Sequence, residues 1–352
     1  MPARQENHPF VKLFKELLRV PAPGGREEMI AALIRGKIEA LGYASETDPS
    51  GNVVVRLEGR EPKSPLVALA AHMDEIAMVV SSIEADGSLR VGPSGGILPW
   101  KTGEMPVEVL GDNGSVTGVL SMGSTHTKEA ASQPGVTWRD VKIITGLTQE
   151  GLSAAGVRPG STAVPERGVR GPYFMGAPDD PLIAAWSFDD RAGCATLLRL
   201  LEALKRRAIT PIHPVLICFT VHEEGGCHGA KNLCFRERPE VFVAIDGCPI
   251  IDESVLSLDG RPGIWSKDEK THYDQRLLRD FLVLAKEAGT ELRPVTYERA
   301  ASDASAVYAA GLAPRVAFVG HVRTNSHGFE VARLSCFDNH LAILVKFCEQ
   351  WR

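Results

Sequence analysis

The sequence has no long apolar run, no excess of positive charge and no regular cysteine spacing. No apolar run reaches the roughly 18 residues that a transmembrane helix needs, so we expect no membrane association. The formal net charge is -5, and without a basic excess to neutralise phosphates we expect no nucleic-acid partner. The seven cysteines have no framework spacing, which indicates reduced thiols. The charged N-terminal segment does not resemble a secretory signal, so the sequence predicts a cytoplasmic protein.

The composition is that of an ordinary globular protein. The 352 residues are 44% hydrophobic and 24% charged, enough chain for one large domain or two moderate ones. Short apolar runs at 66–71, 215–221, 241–245 and 314–319 alternate with segments of helical periodicity. Such runs are typical of strands that helices cover on both faces. The sequence therefore predicts an α/β fold in which helices sandwich a mixed sheet.

The middle of the chain has a different character. Between residues 76 and 170 it is rich in Gly, Val, Thr and Ser, and short alternating segments are separated by glycine-rich turns. This pattern favours a small β-barrel or sandwich. We therefore predict a discontinuous α/β catalytic domain formed by residues 1–74 and 172–352, with an inserted small all-β domain formed by residues 75–171.

Metal-capable side chains occur where the apolar runs end. His72 and Asp246 directly follow two of these runs, and a pair of glutamates closely follows a third. In open α/β sheets, ligands bind outside the carboxyl ends of the strands, so we expect these side chains to meet in one crevice. The candidates lie at the end of an apolar run or the start of a predicted helix. They are His72, Asp189, Glu223, Glu224, Asp246 and His327.

The charges of these candidates point to metal ions. Several carboxylates buried in one crevice would repel one another strongly, and two divalent cations would remove that repulsion. His72 and His327 would complete a mixed nitrogen and oxygen set that suits zinc, cobalt or manganese. Asp74 lies two residues past His72, where its carboxylate can accept the second ring N–H. Of the pair Glu223 and Glu224, one can bind metal while the other transfers protons. The pattern indicates a dinuclear metal hydrolase.

Each part of this pattern also has a plainer interpretation. The adjacent glutamates could form a solvated loop, Asp189 and Asp190 could cap a helix, and Asp246 could belong to a turn. Repetition at successive strand ends is what favours the metal site over these alternatives. His321, just past the fourth apolar run, is a rival of His327 for the last ligand position.

Five ordered motifs resemble those of the M42 metallo-aminopeptidases, and the resemblance covers nearly the whole chain. The motifs are 72–76 (HMDEI), 189–193 (DDRAG), 223–225 (EEG) with 229–230 (GA), Asp246, and His327 with Glu330. The resemblance implies a zinc-peptidase-like fold and an aminopeptidase that hydrolyses peptide substrates with two divalent metal ions per subunit, zinc before cobalt or manganese. It also implies homo-oligomers built from dimers, up to dodecamers, with dimer contacts made by the inserted domain.

The resemblance also assigns roles to the candidate residues. Asp189 would bridge the two metals, with His72 and Asp246 as further ligands of one and Glu224 and His327 as further ligands of the other. Glu223 would be the general base, and Asp74 would orient His72. The presence of Glu330 after His327 favours His327 over His321.

The sequence departs from the family at several positions. Ala77 stands where the family usually has glycine, His222 replaces the glutamine before the paired glutamates, and Cys227 and His228 replace bland residues. We expect His222 and His228 to have packing or supporting roles, and Cys227 and Cys234 to be buried thiols. All proposed ligands and the base are present, so activity is expected. The departures bear on metal preference and the substrate pocket.

Two alternatives stay open at this point. An M20-like metallo-deacylase or carboxypeptidase could use the same metal architecture, although the β-rich insertion favours M42. A catalytically silent assembly protein of the same fold is the other alternative, and the intact pair of Glu223 and Glu224 argues against it.

Overall fold

The larger part of the described chain is a sheet of eleven strands with helices on both faces. The structure, a computed structural model, describes residues 5–124 and 135–352. The strands of this sheet are β1 (Glu46–Thr47), β2 (Val53–Leu57), β3 (Val67–His72), β10 (Tyr173–Met175), β11 (Leu182–Trp186), β12 (Val215–Thr220), β13 (Val241–Pro249), β14 (Gly263–Lys267), β15 (Arg293–Thr296), β16 (Arg315–Thr324) and β17 (Phe329–Arg333). The helices around it are α1 (Pro9–Leu18), α2 (Glu28–Ala40), α5 (Phe188–Arg206), α6 (His228–Glu237), α7 (Gln275–Glu287), α8 (Asp303–Ala309) and α9 (Leu334–Gln350). Within the described residues, no helix is long and apolar enough to cross a membrane.

The order of the strands brings four parallel strands together at the centre of the sheet. The order is β1–β2–β12–β3–β13–β16–β17–β11–β10, and β14 and β15 lie off this path. Strands β12, β3, β13 and β16 run parallel to one another, whereas β2 and β17 are antiparallel to their neighbours. The predicted mixed sheet between helices is confirmed. The four central strands all end at the same edge.

The apolar runs are continuous because both faces of the central strands are buried. In β3, Leu69 and Ala71 pack into the core beneath α1, α2 and α5, whereas Ala68 and Ala70 face the opposite core, which includes residues of α6 and α8. Successive side chains of a strand point to opposite faces, so a strand between two helical layers needs apolar residues at every position.

A small closed barrel is inserted after β3. Its strands are β4 (Ala77–Ile83), β5 (Leu89–Ser94), β6 (Met105–Leu110), β7 (Ser115–Ser121), β8 (Lys142–Ile144) and β9 (Thr162–Pro165), and the short helices α3 (Pro99–Thr102) and α4 (Gln149–Ala154) connect them. The barrel closes in the order β4–β5–β8–β7–β6–β9. Its interior includes Met78, Leu89 and Val107. The predicted small all-β unit is present. The boundaries at 74/75 and 171/172 stay a prediction, and residues 125–134 within them lie outside the described chain.

A buried ion cluster lies where the chain enters and leaves the barrel. Glu75, between β3 and β4, accepts hydrogen bonds from Arg170 Nη1 at 3.1 Å and Arg191 Nη2 at 3.3 Å. Trp186 Nε1 donates to the same carboxylate at 3.1 Å, and Ala22 N donates at 2.9 Å. The glutamate and both arginines are at most 1% exposed. This cluster ties the barrel to the sheet and to α5 beside the candidate site.

Candidate metal centre

The predicted site residues meet at the carboxyl edge of the central strands. His72 is the last residue of β3, Asp246 lies in β13, and Glu223 and Glu224 lie in the loop between β12 and α6. Two further candidates come from other elements. Asp189 lies at the start of α5, and His327 lies in the turn between β16 and β17.

Asp189 occupies the centre of the group, between the two histidines. Its Oδ1 lies 2.9 Å from His72 Nε2, and its Oδ2 lies 3.4 Å from His327 Nε2. On one side, His72 Nε2 is also 3.9 Å from Asp246 Oδ2. On the other side, His327 Nε2 is 3.7 Å from Glu224 Oε1. The carboxylate of Asp189 therefore faces two separate pairs of potential ligands.

The two aspartates at the start of α5 have different surroundings. Asp190 Oδ1 accepts a hydrogen bond from Gly193 N at 2.9 Å, which is the contact of a helix-capping side chain. Its Oδ2 accepts one from His72 N at 3.3 Å, and the residue is fully buried. The capping function considered for both aspartates belongs to Asp190. Asp189 is directed into the crevice.

Asp74 lies behind His72 and in contact with the glutamate loop. His72 Nδ1 lies 3.1 Å from the main-chain oxygen of Asp74 and 3.5 Å from its carboxylate. The carboxylate accepts hydrogen bonds from the main-chain amides of Glu223 at 2.9 Å and Glu224 at 3.1 Å. Asp74 is therefore placed to orient a histidine from one strand and two glutamates from the next.

Burial and mutual repulsion shift the protonation of these groups. Burial raises the pKa of Glu224 to about 8, and the charges of Asp189 and Asp74 add to the rise. Burial also raises the pKa of Glu223 well above its ordinary value. Burial alone would lower the pKa of His327, but its hydrogen bond to Asp189 and the charge of Glu224 prevail and raise it to about 10. Divalent cations bound here would displace these protons and remove the repulsion.

The donor set fits such cations. Glu224 Oε1 is buried and has no hydrogen-bond partner within the described residues. An orphaned buried carboxylate oxygen is costly unless something charged pairs with it. Ligand atoms of His72, Asp189 and Glu224 lie within 4.8 Å of one another, as do those of His72, Asp190 and Asp246. Imidazole and carboxylate ligands together suit zinc and similar divalent ions.

Arg323 is a charged neighbour of the site that the sequence did not reveal. It is buried in β16, with Nη2 2.5 Å from Asp189 Oδ2, Nη1 3.6 Å from Asp246 Oδ1 and Nε 2.8 Å from Glu330 Oε1. Burial alone would raise the pKa of Asp189. This guanidinium and the two histidines outweigh burial and hold that pKa well below its usual range. Arg323 therefore neutralises part of the acidic cluster, and it would share the carboxylate of Asp189 with a metal ion held there.

The structure separates the two rival histidines. His321 is fully buried against the rings of Phe188 and Phe337, with centroid distances of 6.1 and 5.2 Å. Within the described chain, neither of its ring nitrogens has a hydrogen-bond partner. Burial lowers the pKa of His321 well below its ordinary value, so the ring is neutral. The geometry brings His327, and not His321, to Asp189 and Glu224.

The positions at which the chain departs from the family lie around the centre. Ala77 is buried at the start of β4. His222 Nε2 lies 3.9 Å from Glu27 Oε1. All seven cysteines are free and buried, as expected for Cys227 and Cys234. None of the groups of metal-capable atoms among the described residues includes His222 or His228.

A cavity of about 1280 Å³ opens beside the centre. Its floor includes Asp189, Glu223, Glu224, Asp246 and His327. Its walls are partly apolar and partly charged, and they include Ile251, Glu253, Val255, Trp265, Lys270, Val295, Tyr297 and Arg299. The cavity is large enough for the first residues of a peptide.

The mixed sheet carries an inserted barrel and, at its edge, an acid and imidazole cluster whose donor atoms suit divalent metal ions. The sequence model of the family described as M42 glutamyl aminopeptidase matches residues 51–343, so the chain belongs to this family. The resemblance seen in the motifs is thereby confirmed.

Individual proteins agree with this assignment. The glutamyl aminopeptidase of Lactococcus lactis subsp. cremoris is 30% identical over 68% of this chain and 66% of its own length, slightly less than two thirds of that relative. The aminopeptidase of Desulfurococcus kamchatkensis superposes with a TM-score of 0.85 at 26% identity, over 97% of this chain and 94% of that chain. The TET1 peptidase of Pyrococcus horikoshii, described as assembling into a tetrahedron or a large octahedral shell, has a TM-score of 0.84 at 23% identity, over 97% and 99% of the two chains.

Proposed function

We propose that this protein is a dinuclear metal-dependent aminopeptidase that removes N-terminal residues from peptides. The position of Asp189 carries this proposal, because one carboxylate faces His72 and Asp246 on one side and His327 and Glu224 on the other. Its oxygens can serve two cations at once. Zinc is the first choice for both, with cobalt or manganese as alternatives.

The ligands divide into two sets around Asp189. His72 and Asp246 would complete the set of one cation, and Glu224 and His327 the set of the other. Cations held by these residues would supply Lewis acidity and a water that is nucleophilic at neutral pH. Asp74 keeps Glu223 and Glu224 in place through their main-chain amides.

Glu223 is the proposed general base. It lines the cavity beside the candidate ligands, and burial raises its pKa well above the ordinary value. A carboxylate with a raised pKa can accept a proton from the attacking water and return it to the leaving amine. The free amino group of the substrate would lie near Asp246, Asp303 or a metal. Asp303 is buried at this end of the sheet, and Asp246 is half-buried.

A substrate panel tests the class of reaction. Purified protein is assayed with aminoacyl, N-acylated and C-terminal peptide substrates, each with added Zn²⁺, Co²⁺ or Mn²⁺. We expect turnover of the aminoacyl substrates alone. Turnover of N-acylated or C-terminal substrates would instead support an M20-like deacylase or carboxypeptidase, and no turnover with any metal would support a silent assembly protein.

Replacing Asp189 by alanine is expected to release both metals. As a shared ligand, Asp189 would hold both ions, so its loss would leave each ion with an incomplete set. Metal analysis after dialysis should show about two ions per wild-type subunit and a large loss in the variant. Asp252→Asn is the control, because it removes an exposed carboxylate from the wall of the same cavity and should retain both ions. Two tightly held ions in Asp189→Ala would refute the bridging assignment.

We also propose that the protein is a homo-oligomer built from dimers, up to a dodecamer, in which the inserted domain of residues 75–171 makes dimer contacts. The assemblies described for the TET1 peptidase support this proposal. An apolar pair on the outside of the barrel supports it as well. Val119 and Ile144 face each other across β7 and β8 and are 47% and 48% exposed. The seven free, buried thiols favour a reducing compartment such as the cytoplasm.

Replacing Val119 by lysine is expected to weaken this assembly. The substitution removes apolar area from the contact, and the lysine ammonium group would have to lose its hydration there. Together these two effects should weaken self-association by about tenfold or more. Native mass measured over a dilution series reports the change. Val283→Lys on α7 is the control, because Val283 is similarly exposed at 55% but lies outside the barrel. An unchanged mass for Val119→Lys, or an equal loss for Val283→Lys, would count against dimerisation through this face.

A further inference from the structure

A second group of metal-capable side chains includes Glu223 but none of the proposed ligands. Donor atoms of Glu223, Cys227 and Asp303 all lie within 4.8 Å of one another. The thiol of Cys227 donates a hydrogen bond to Glu223 Oε1 with a sulfur-to-oxygen distance of 3.4 Å. Cys227 has no part in the proposed hydrolysis. Its position beside Glu223 therefore calls for a separate explanation.

Asp303 brings an unpartnered oxygen to this group. Its Oδ2 accepts a hydrogen bond from Thr220 Oγ1 at 2.7 Å, whereas its Oδ1 is buried and has no hydrogen-bond partner in the part of the chain that the structure describes. The residue is only 4% exposed. A buried carboxylate oxygen without a partner costs free energy, and a cation would offset that cost.

The backbone holds the three residues in place. Cys227 precedes α6, Asp303 is the first residue of α8, and these two helices pack against each other. The main-chain amide of Cys227 donates to the carbonyl of Glu223 at 2.9 Å, which closes the turn between them. Cys227 and Glu223 both line the large cavity, so an ion in solution can reach them.

We propose that Glu223, Cys227 and Asp303 form a binding site for a thiophilic divalent cation such as Cd²⁺ or excess Zn²⁺, distinct from the proposed catalytic pair. One thiolate and two carboxylates, with a water in the fourth position, make a tetrahedral set that such ions accept. Ligand bonds of about 2.0–2.3 Å place tetrahedral donors roughly 3.5 Å apart. The present spacing therefore needs only a small contraction. Binding forms one sulfur–metal and two oxygen–metal bonds, and the thiol proton leaves to solvent together with any proton on the two carboxylates.

Occupation of this site inhibits the enzyme. A cation coordinated by Glu223 engages the carboxylate that would accept the proton of the attacking water, so this consequence rests on the proposed function. Burial raises the pKa of the Cys227 thiol, and the charges of Glu223 and Asp303 add to the rise, so the thiol carries its proton until a cation displaces it. Lys270, which also lines the cavity, is a nearby positive charge that opposes this rise in the pKa of the thiol.

Cadmium titration of the metal-loaded protein tests the site. Binding to a thiolate produces an ultraviolet charge-transfer band that carboxylate and imidazole ligands do not give. We expect the band in the wild-type protein, its loss in Cys227→Ser, and its retention in Cys348→Ser, which changes a buried cysteine of α9 far from these carboxylates. Asp303→Asn keeps the thiol but should need more Cd²⁺ to reach the same band.

Activity measured in the same titration tests the inhibition. Half-inhibition of Cys227→Ser should require at least about tenfold more Cd²⁺ than half-inhibition of the wild-type protein, because the loss of one contact at a metal site lowers the affinity by that much. No band in the wild-type protein, or an equal band in Cys227→Ser, would overturn the site. A band without loss of activity would overturn the inhibition. If the band depends on Cys227 but the protein has no aminopeptidase activity, the cation site is supported and the proposed function is wrong.

Discussion

Replacing Glu223 by glutamine is expected to lower kcat by about 10²- to 10⁴-fold, the usual contribution of a positioned general base. Glutamine has nearly the same shape, so it can accept the hydrogen bond from the Cys227 thiol and keep the loop in place. It cannot take a proton from water. The loss should therefore fall on kcat, with KM changed much less.

Metal content separates this role from that of a ligand. Glu223→Gln should retain the metal content of the wild-type protein, whereas Asp189→Ala should lose it. The contrast follows from geometry, because Asp189 contacts both histidines, whereas Glu224 and not Glu223 lies within 4 Å of His327. Steady-state kinetics and metal analysis of the two variants, prepared side by side, provide the measurement. A normal kcat for Glu223→Gln, or the loss of its metals, would contradict the assigned role.

The sequence was informative where a side chain directly follows a buried strand. His72 ends β3, and Asp246 lies beside it in the neighbouring parallel strand β13. Parallel register brings such residues together automatically, so an apolar run followed by a ligand-type residue predicts both the sheet and the crevice. The mixed sheet and the small barrel were predictable for a similar reason. Strands buried on both faces appear in the sequence as continuous apolar runs, whereas strands buried on one face alternate between apolar and polar residues.

The choice between His321 and His327 could not be made from the residues alone. The turn between β16 and β17 places both Asn325 and His327 at positive φ, 60° and 61°. Residues other than glycine rarely adopt a positive φ, so the local sequence does not predict this turn. His327 reaches the crevice because of that turn. His321 faces the opposite way, into the aromatic core.

Arg323 was missed because its partners are distant in sequence. The apolar run that predicts β16 ends at residue 319, yet the strand continues to Thr324. A buried arginine in a strand is tolerated only if carboxylates surround it. Here they come from α5, β13 and β17 as Asp189, Asp246 and Glu330. No local pattern brings those three together.

Buried arginines also need a carboxylate at Glu75, and we expect that neutralising this residue strongly destabilises the fold. It was recognisable only as part of a motif, but the structure surrounds it with two buried arginines, Arg170 and Arg191. Glu75→Gln keeps the volume of the side chain and removes its charge. Both guanidinium groups are then left in the interior without a counter-charge, and we expect a loss of about 3–5 kcal/mol in the free energy of unfolding.

Glu84→Gln provides a matched control for this loss. Glu84 pairs with Arg90 at 3.0 Å, but the two side chains are 42% and 44% exposed. An exposed pair contributes about 0–1 kcal/mol, so the same chemical change should have little effect there. Urea unfolding of the two variants and the wild-type protein, at fixed protein and metal concentrations, measures both values. Equal effects of the two substitutions would show that the buried cluster does not stabilise the fold.

The pH dependence adds a second check on Glu75. Burial alone would raise the pKa of Glu75, but the two arginines outweigh burial and lower this pKa below its ordinary value of 4.5. A group whose pKa is lowered in the folded state stabilises the protein above its unfolded pKa, and this contribution is lost as the pH falls through the folded pKa. The protonated glutamate then resembles glutamine. The stability difference between the wild-type protein and Glu75→Gln should therefore be largest near neutral pH and should shrink as the pH falls below 4.5. A difference that is constant with pH would mean that lost packing, and not lost charge, destabilises the variant.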